Sequence, residues 1–227
     1  MGQYSAMVAA GVISLADAVR LVRERGLQMQ ASGQGRSGAM AAVIGLDNAR
    51  LDALVAFGTP HGSLTVANRN APGQVVISGD RAAVEAAAAG AKGLGARLVK
   101  ILPVSVAAHS SLMTEAAAGM ARVLEPISFS DPAIPLLANA DARPITTAAA
   151  ARGELIEHLT RGVDWIAAVE RMAAGGVTTF IEVGPGKVLT GLIKRIAPDA
   201  TVLALDNASA PGGIAVPFID SGAPAVP

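Results

Sequence analysis

The chain has 227 residues, no cysteine, 52% hydrophobic and only 3% aromatic residues, and 18 basic side chains balanced by 18 acidic ones. This length suits one substantial core, and the zero net charge removes the whole-chain electrostatic case for binding nucleic acid. No apolar run approaches the roughly 20 residues that span a bilayer, Met1-Gly2-Gln3-Tyr4 is not a signal-peptide start, and no disulfide framework is possible, so a cytoplasmic location away from membranes is expected.

Taken in chain order, Gln3 to Ala10 is helix-forming and stops at Gly11. Ser14 and Asp17 resemble a capping box, and Leu15, Ala18, Val19, Val22, Gly26 and Met29 then recur at helical spacing as one apolar stripe. At about 100° per residue, Arg25 is the arginine nearest that stripe, while Arg20 and Glu24 point away from it. ASGQGRSG at 31–38 reads as a loop.

The spacing next predicts a strand at 40–46, a helix at 48–57, strands at 63–68 and 74–78, a helix at 81–94 and a strand at 96–102. The order βαββαβ is that of a ferredoxin-like unit. Extended chain at 103–107 leads to a helix at 110–124, which places His109 at a junction. A strand at 134–138, helices at 148–159 and 163–174, a strand at 178–183, a helix at 187–196 and a strand at 201–204 follow. Alternating strands and helices imply a mainly parallel sheet covered on both faces. The stretch from Asn207 onward is rich in Gly and Pro without periodicity, and a disordered tail is expected there.

Four places can carry chemistry. His109, in VSVAAHSSLM, has small neighbours and room to face a substrate, although a packed or capping histidine fits the same position. Arg25 beside a buried stripe needs either an anionic ligand or a structural ion pair with Asp17, Glu24 or a distant carboxylate. Gly184-Pro185-Gly186-Lys187 joins a strand to a helix, where backbone N–H groups receive phosphates, but it lacks the GxxxxGK spacing and Val188 stands where a magnesium-binding hydroxyl is needed. A tight turn is the plainer reading of that segment. The turn containing Asn68, Asn70 and Gly73 joins strands, and its amides can also line a cleft. His61, His109 and His158 lie far apart in sequence with no cysteine companions, so no standard zinc spacing exists.

Together, MGQYSAMVAAGVISLADAVRLVRERG, GAMAAVIGL, NRNAPGQVVISG, LPVSVAAHSSLM and FIEVGPGKVLTGLIKRI, in this order, resemble the malonyl-CoA:acyl-carrier-protein transacylase family. The resemblance runs to about Asn207. It implies an α/β fold in which 1–36 and 103–206 form an α/β-hydrolase-like large domain, incomplete at its N-terminal side, and 37–102 form an inserted ferredoxin-like subdomain, with 207–227 as the tail. It also implies malonyl transfer from malonyl-CoA to the phosphopantetheine thiol of acyl carrier protein in fatty-acid synthesis, by a ping-pong Ser/His mechanism without metal or redox cofactor. The family's nucleophile sits in a GHSxG elbow whose last two positions align with Met1 and Gly2, so the serine aligns ahead of Met1.

On that alignment His109 is the catalytic base, Arg25 the anchor of the malonyl carboxylate, and Asn68 and Asn70 line the cleft. The main chain of Met1 stands at an oxyanion-hole position, and His158 occupies the place of the glutamine or asparagine that orients the catalytic histidine. Ala108, before His109, does not by itself separate malonyl from branched relatives. A monomer is expected. These 227 residues alone are expected to give no burst of covalent acyl-enzyme, and a binding module for CoA or carrier protein without turnover is the alternative reading. Ser5, Ser110 and Ser111 are not in a GxSxG context.

Overall fold

The computed structural model describes residues 2–35 and 37–205; Met1 and the expected tail lie outside the described residues. Two helices open the chain, α1 (Gly2–Ala9) and α2 (Leu15–Ser32). Ser14 caps α2 by accepting from the Asp17 N–H at 3.0 Å, the start that the capping-box pattern predicts. The buried stripe of α2 is nevertheless different from the expected one. Ala18, Leu21, Met29 and Ser32 are buried, whereas Leu15 and Val19 are 68% and 63% exposed. With spacings of three and four residues this stripe passes directly through Arg25. The expected stripe was centred on the β-branched and small residues, and the packing partner selected the neighbouring face.

The next elements are β1 (Gly38–Ile44), α3 (Asn48–Gly58), β2 (Leu64–Ala71), β3 (Gln74–Asp80), α4 (Arg81–Gly90) and β4 (Leu98–Ile101). Their order is the expected βαββαβ, and the strands pair antiparallel in the order β4-β1-β3-β2. One sheet face carries Ala39, Ala41, Val43, Val75 and Ile77 against α3 and α4. The alanine-rich composition is used here, because Ala83 and Ala87 of α4 let it approach Gly58 of α3 so closely that a Cβ on Gly58 would overlap Leu64 and lie 2.8 Å from the Ala83 carbonyl oxygen. The other face, with Met40, Ala67 and Val76, packs on Leu102 and Ala108, the residue before His109.

The remainder comprises α5 (Thr114–Leu124), α6 (Ala148–Glu157), β5 (Val163–Asp164), α7 (Trp165–Ala174), β6 (Thr179–Val183), α8 (Val188–Ile196) and β7 (Thr201–Leu205). Tyr4, Met7, Leu21, Met113, Met120, Leu124, Leu155 and Leu159 form the largest core, between α1, α2, α5 and α6. The class is α/β as expected: among the described residues the antiparallel strand pairing belongs to the ferredoxin-like unit, and the strands outside it, β5, β6 and β7, pair parallel. Parallel pairing is confined to β2–β5, which adds a fifth strand to the antiparallel sheet, and to β6–β7. The expected strand at 134–138 is a single bridge, Leu137 to Pro144, in a segment folded back on itself with Ile145 N–H donating to Leu136 O at 2.8 Å. Pro132, Pro135 and Pro144 remove the donors that a longer ladder would use. Val163 and Asp164, expected in a helix, pair with β2, and Asp164 then caps α7. No helix among the described residues is long and apolar enough to cross a membrane.

Gly79, on β3 opposite Leu64, has no room for a side chain: a Cβ there would overlap the Ser63 carbonyl oxygen, which is backbone and cannot swing away. Gly79→Ala is expected to destabilise the chain by about 2 kcal/mol or more, read as a lower urea midpoint at unchanged slope.

Candidate active site

His109 ends the irregular segment after β4 and immediately precedes Ser110, the cap of a 3-10 turn that leads into α5. Its φ of 60° is left-handed, a conformation that non-glycine residues adopt at a cost and that concentrates at functional sites. Three carbonyls of one short strap hold it there. The His109 N–H donates to Leu159 O at 3.1 Å, and ring Nδ1 lies 2.7 Å from His158 O and 3.1 Å from Arg161 O. A carbonyl accepts only, so Nδ1 carries the proton and the neutral ring leaves its lone pair on Nε2. Nε2 makes no hydrogen bond with a described residue. Burial lowers the ring's affinity for a proton, opposed by the two carbonyls and reinforced by the cation of Arg25. His109 is therefore a neutral base at physiological pH.

The imidazole of His158 does not hold the ring of His109. That is a correction of the expected role: the main-chain oxygen of His158 contacts His109, while its side chain serves Arg25. His158 is buried at the end of α6, its Nδ1 donating to Glu154 O at 3.0 Å and its Nε2 accepting from Arg25 Nε at 3.1 Å. The geometry requires a neutral imidazole, and burial together with the Arg25 cation pushes its pKa down to about 3. The rings of His109 and His158 are 6.5 Å apart between centroids, so Arg25, His158 and His109 form one cluster.

Arg25 is half-buried and spends only Nε on the protein. No carboxylate among the described residues pairs with it, which sets aside the structural ion pair, and its two terminal nitrogens are unpartnered among those residues. Burial lowers its pKa, but a guanidinium starts high enough to stay charged. Tyr4, which the sequence reading did not single out, closes the inner side. It packs edge-on to His158 at 5.9 Å, and its hydroxyl is buried without a partner among the described residues. Burial pushes that phenol up to about 12, against the opposing pull of Arg25.

Asn68 and Asn70 are half-buried on β2, and their side chains make no hydrogen bond with described residues. Asn68 pairs with Val76 across the sheet, which puts it on the face that meets Ala108 rather than the face under the helices. The structure does not link either asparagine directly to Arg25 or His109. Two other motifs drop out. The N-terminus of α8 after Gly184-Pro185-Gly186-Lys187 is already filled by Glu182, whose carboxylate accepts from Leu189 N–H at 3.0 Å and Thr190 N–H at 2.7 Å. A phosphate has no vacancy there. His61 lines an open groove with Ser37, Asp80, Arg81 and Glu85, where Arg81 is paired with Glu85 and Asp80 accepts from Ser63 N–H, and the groove includes none of the cluster. Among the described residues no group of acidic residues and histidines is placed to hold a metal.

Residues 1–205 match the family described as the acyl transferase domain. The chain belongs to the acyl transferase family. It is 47% identical over 210 residues to the malonyl CoA-acyl carrier protein transacylase of Escherichia coli, covering 92% of this chain and 68% of that protein. It is 43% identical over 197 residues to the protein of the same name from Bacillus subtilis, covering 86% of this chain and 62% of the relative. Among solved structures, the acyl carrier protein S-malonyltransferase of Vibrio cholerae superposes with a TM-score of 0.87 at 41% identity, over 90% of this chain and 67% of that one. A malonyl-transacylase in complex with its type II PKS acyl-carrier protein superposes with a TM-score of 0.87 at 42% identity, over 91% and 67% of the two chains.

The acyl transferase's two cluster histidines have a consequence for stability. Both pKa values are depressed in the folded state, so between the folded value of His158, about 3, and the ordinary 6.5 the unfolded chain binds more protons. Their contribution to stability is intact above pH 6.5 and is lost as pH falls. The unfolding free energy is expected to drop from pH 7 to pH 4, by up to about 1.4 kcal/mol per pH unit for His158, read as a falling urea midpoint. His158→Gln, which keeps an acceptor for Arg25, is expected to flatten that slope.

Proposed function

We propose that this acyl transferase moves a malonyl group from coenzyme A to the phosphopantetheine thiol of acyl carrier protein, in fatty-acid synthesis. The observation that carries the reading is the occurrence, in one cluster, of a charged guanidinium whose terminal nitrogens are unpartnered among the described residues and a neutral histidine whose Nε2 makes no hydrogen bond with them. Arg25 offers both terminal nitrogens to one carboxylate, a charge-assisted two-bond contact that an acetyl group cannot make. The fork is aimed by the single bond from Nε to His158. Because His158 is neutral, it positions Arg25 without neutralising it, and the full positive charge remains for the substrate.

In the ping-pong scheme, His109 Nε2 removes the proton from the attacking hydroxyl as that oxygen bonds to the thioester carbon. The resulting imidazolium is stabilised at Nδ1–H by the oxygens of His158 and Arg161, where two carbonyl dipoles stand in place of the usual carboxylate. Collapse of the tetrahedral adduct breaks the carbon–sulfur bond, and the proton on Nε2 passes to the departing thiolate of coenzyme A. In the second half His109 deprotonates the phosphopantetheine thiol, the thiolate bonds to the ester carbon, and as the carbon–oxygen bond breaks the proton on Nε2 returns to the departing serine oxygen.

The attacking hydroxyl in this scheme is that of the family's elbow serine, and the oxyanion-hole position aligned with Met1 lies outside the described residues. Neither Ser110 nor Ser111 replaces it. Ser110 is buried and donates to Ala107 O at 2.7 Å, and Ser111 shares a 2.8 Å hydrogen bond with Ser63. Asn68, on the sheet face that adjoins Ala108, and Asn70 further along β2 are proposed to meet the amides of the pantetheine arm, a role supported by side-chain amides without partners among the described residues. Acyl carrier protein as the partner draws support from the solved malonyl-transacylase bound to its carrier protein.

Arg25→Ala is expected to abolish the preference for malonyl-CoA over acetyl-CoA, with malonyl-CoA binding weakened roughly 10-fold to 100-fold for loss of a charged two-bond contact and acetyl-CoA binding unchanged. Calorimetric titration of both thioesters reads this whether or not transfer occurs. An unaltered preference in a folded Arg25→Ala protein would contradict the assignment, and binding of carrier protein without transfer by a polypeptide that includes the elbow serine would favour a binding module.

A further inference from the structure

The strap that holds His109 is itself held from the far side by four charged side chains. Arg161 donates through Nη1 to Glu157 Oε2 at 2.9 Å and through Nη2 to Asp141 Oδ2 at 2.9 Å. Arg143 repeats the pattern, reaching Asp141 Oδ2 at 3.0 Å and Glu157 Oε2 at 3.3 Å, with the buried Glu154 3.6 Å away. Two guanidinium forks thus bracket two carboxylates in a closed ring. Burial would raise the Asp141 carboxyl, and the hydrogen bonds from Arg161 and Arg143 overcome it, so the ring is charged at neutral pH.

Glu157 and Arg161 delimit the strap, since residues 158, 159 and 161 supply all three carbonyls that contact His109. The strap has left α6, and Thr160 and Arg161 turn back through N–H bonds to Glu157 O at 3.1 and 3.0 Å, joined by Thr160 Oγ1 at 3.2 Å. At its opposite end Arg161 is tied to the Asp141 turn by the ion ring, and just beyond it Val163 and Asp164 pair with β2 while Asp164 N–H donates to Asn139 O at 2.8 Å. An isolated pair at this exposure contributes little, but a ring in which each ion serves two partners holds four side chains for one loss of freedom.

We propose that Asp141, Arg143, Glu157 and Arg161 are positioning residues for His109: their ion ring fixes the Arg161 carbonyl against Nδ1 and so keeps the proton on Nδ1 and the lone pair on Nε2. This rests on the reading of His109 as the base, but it is a statement about the ring's tautomer and is tested without turnover. The other charged or titratable groups near His109 are Arg25 on α2 and His158 at the end of α6, with Tyr4 of α1 behind them, and none of these belongs to the ion ring.

The test is imidazole nitrogen–proton correlation NMR, in which the chain's three histidines give three resolvable ring systems and exposed His61 is the internal control. The double variant E157Q/R161Q removes one charge of each sign, leaving the net charge unchanged. In it His109 is expected to shift from the Nδ1–H form toward a mixture of tautomers and to titrate about half a pH unit lower, because a hydrogen bond that favours the protonated ring has loosened.

The unsubstituted chain in about 1 M salt, where screening acts over about 3 Å, is expected to move the same way. Screening of Arg25 alone would move His109 in the opposite direction, toward a higher midpoint. An unchanged tautomer and midpoint in the folded variant, or, should the variant not fold, in the salt series, overturns the proposal. Loss of malonyl transfer in the unsubstituted enzyme would bear on the proposed function and not on this result.

Discussion

The contact on which the site depends is the pair of carbonyl oxygens at Nδ1 of His109. An imidazole left to itself divides its proton between two nitrogens and turns about its side-chain bonds, and either freedom moves the Nε2 lone pair for part of the time. Two acceptors on one nitrogen end both freedoms. They come from the main chain of the segment after α6, so placement of the imidazole is a property of backbone geometry rather than of any partner side chain. The left-handed φ of His109 belongs to the same arrangement, because it lets the residue's own N–H reach Leu159 O while the ring reaches past it.

The second constraint is electrostatic and is shared between α2 and α6. Arg25 lies in the buried stripe of α2, where an aliphatic side chain would stabilise the fold more, and it is kept there by an acceptor that carries no charge. A carboxylate in the place of His158 would satisfy the guanidinium and also silence it. The buried, neutral His158 leaves the cation without a carboxylate among the described residues, an arrangement that gives up stability at low pH. The unpartnered Tyr4 hydroxyl beside them is a further departure from full satisfaction in the same few ångströms.

The small antiparallel unit supplies the other wall. Its helices and one sheet face are packed through alanine and glycine contacts that leave almost no tolerance for added atoms, which makes the unit a stiff plate. The opposite face carries Asn68 and meets Ala108, the residue before His109. Arg195 of α8 donates to Gln74 and Pro72 at the β2–β3 turn and ties this plate to the remainder of the chain.

The local signals of the chain determined most of its elements. Ser14 and Asp17 started α2, the βαββαβ order followed from periodicity and turn residues, and His109 stood out because small residues surround it at a junction. The ordered motifs around it identified the family. These succeed because capping, alternation and motif spacing are properties of neighbouring residues. What the tertiary structure decided are matters of who packs against whom. The buried side of α2 was displaced from the apparent stripe because α5 and α1 pack on α2 with Leu21 in the shared core, while Leu15 and Val19 stay exposed. Residues 134–138 gave up strand pairing to prolines and a local fold-back. His158 could be read as the ring holder from alignment alone, but only the folded chain separates its carbonyl, which faces His109, from its imidazole, which faces Arg25, since main chain and side chain of one residue point to different neighbours. Tyr4 and the ion ring around Arg161 left no mark in local spacing, because their partners lie on other elements and meet only after the chain has folded.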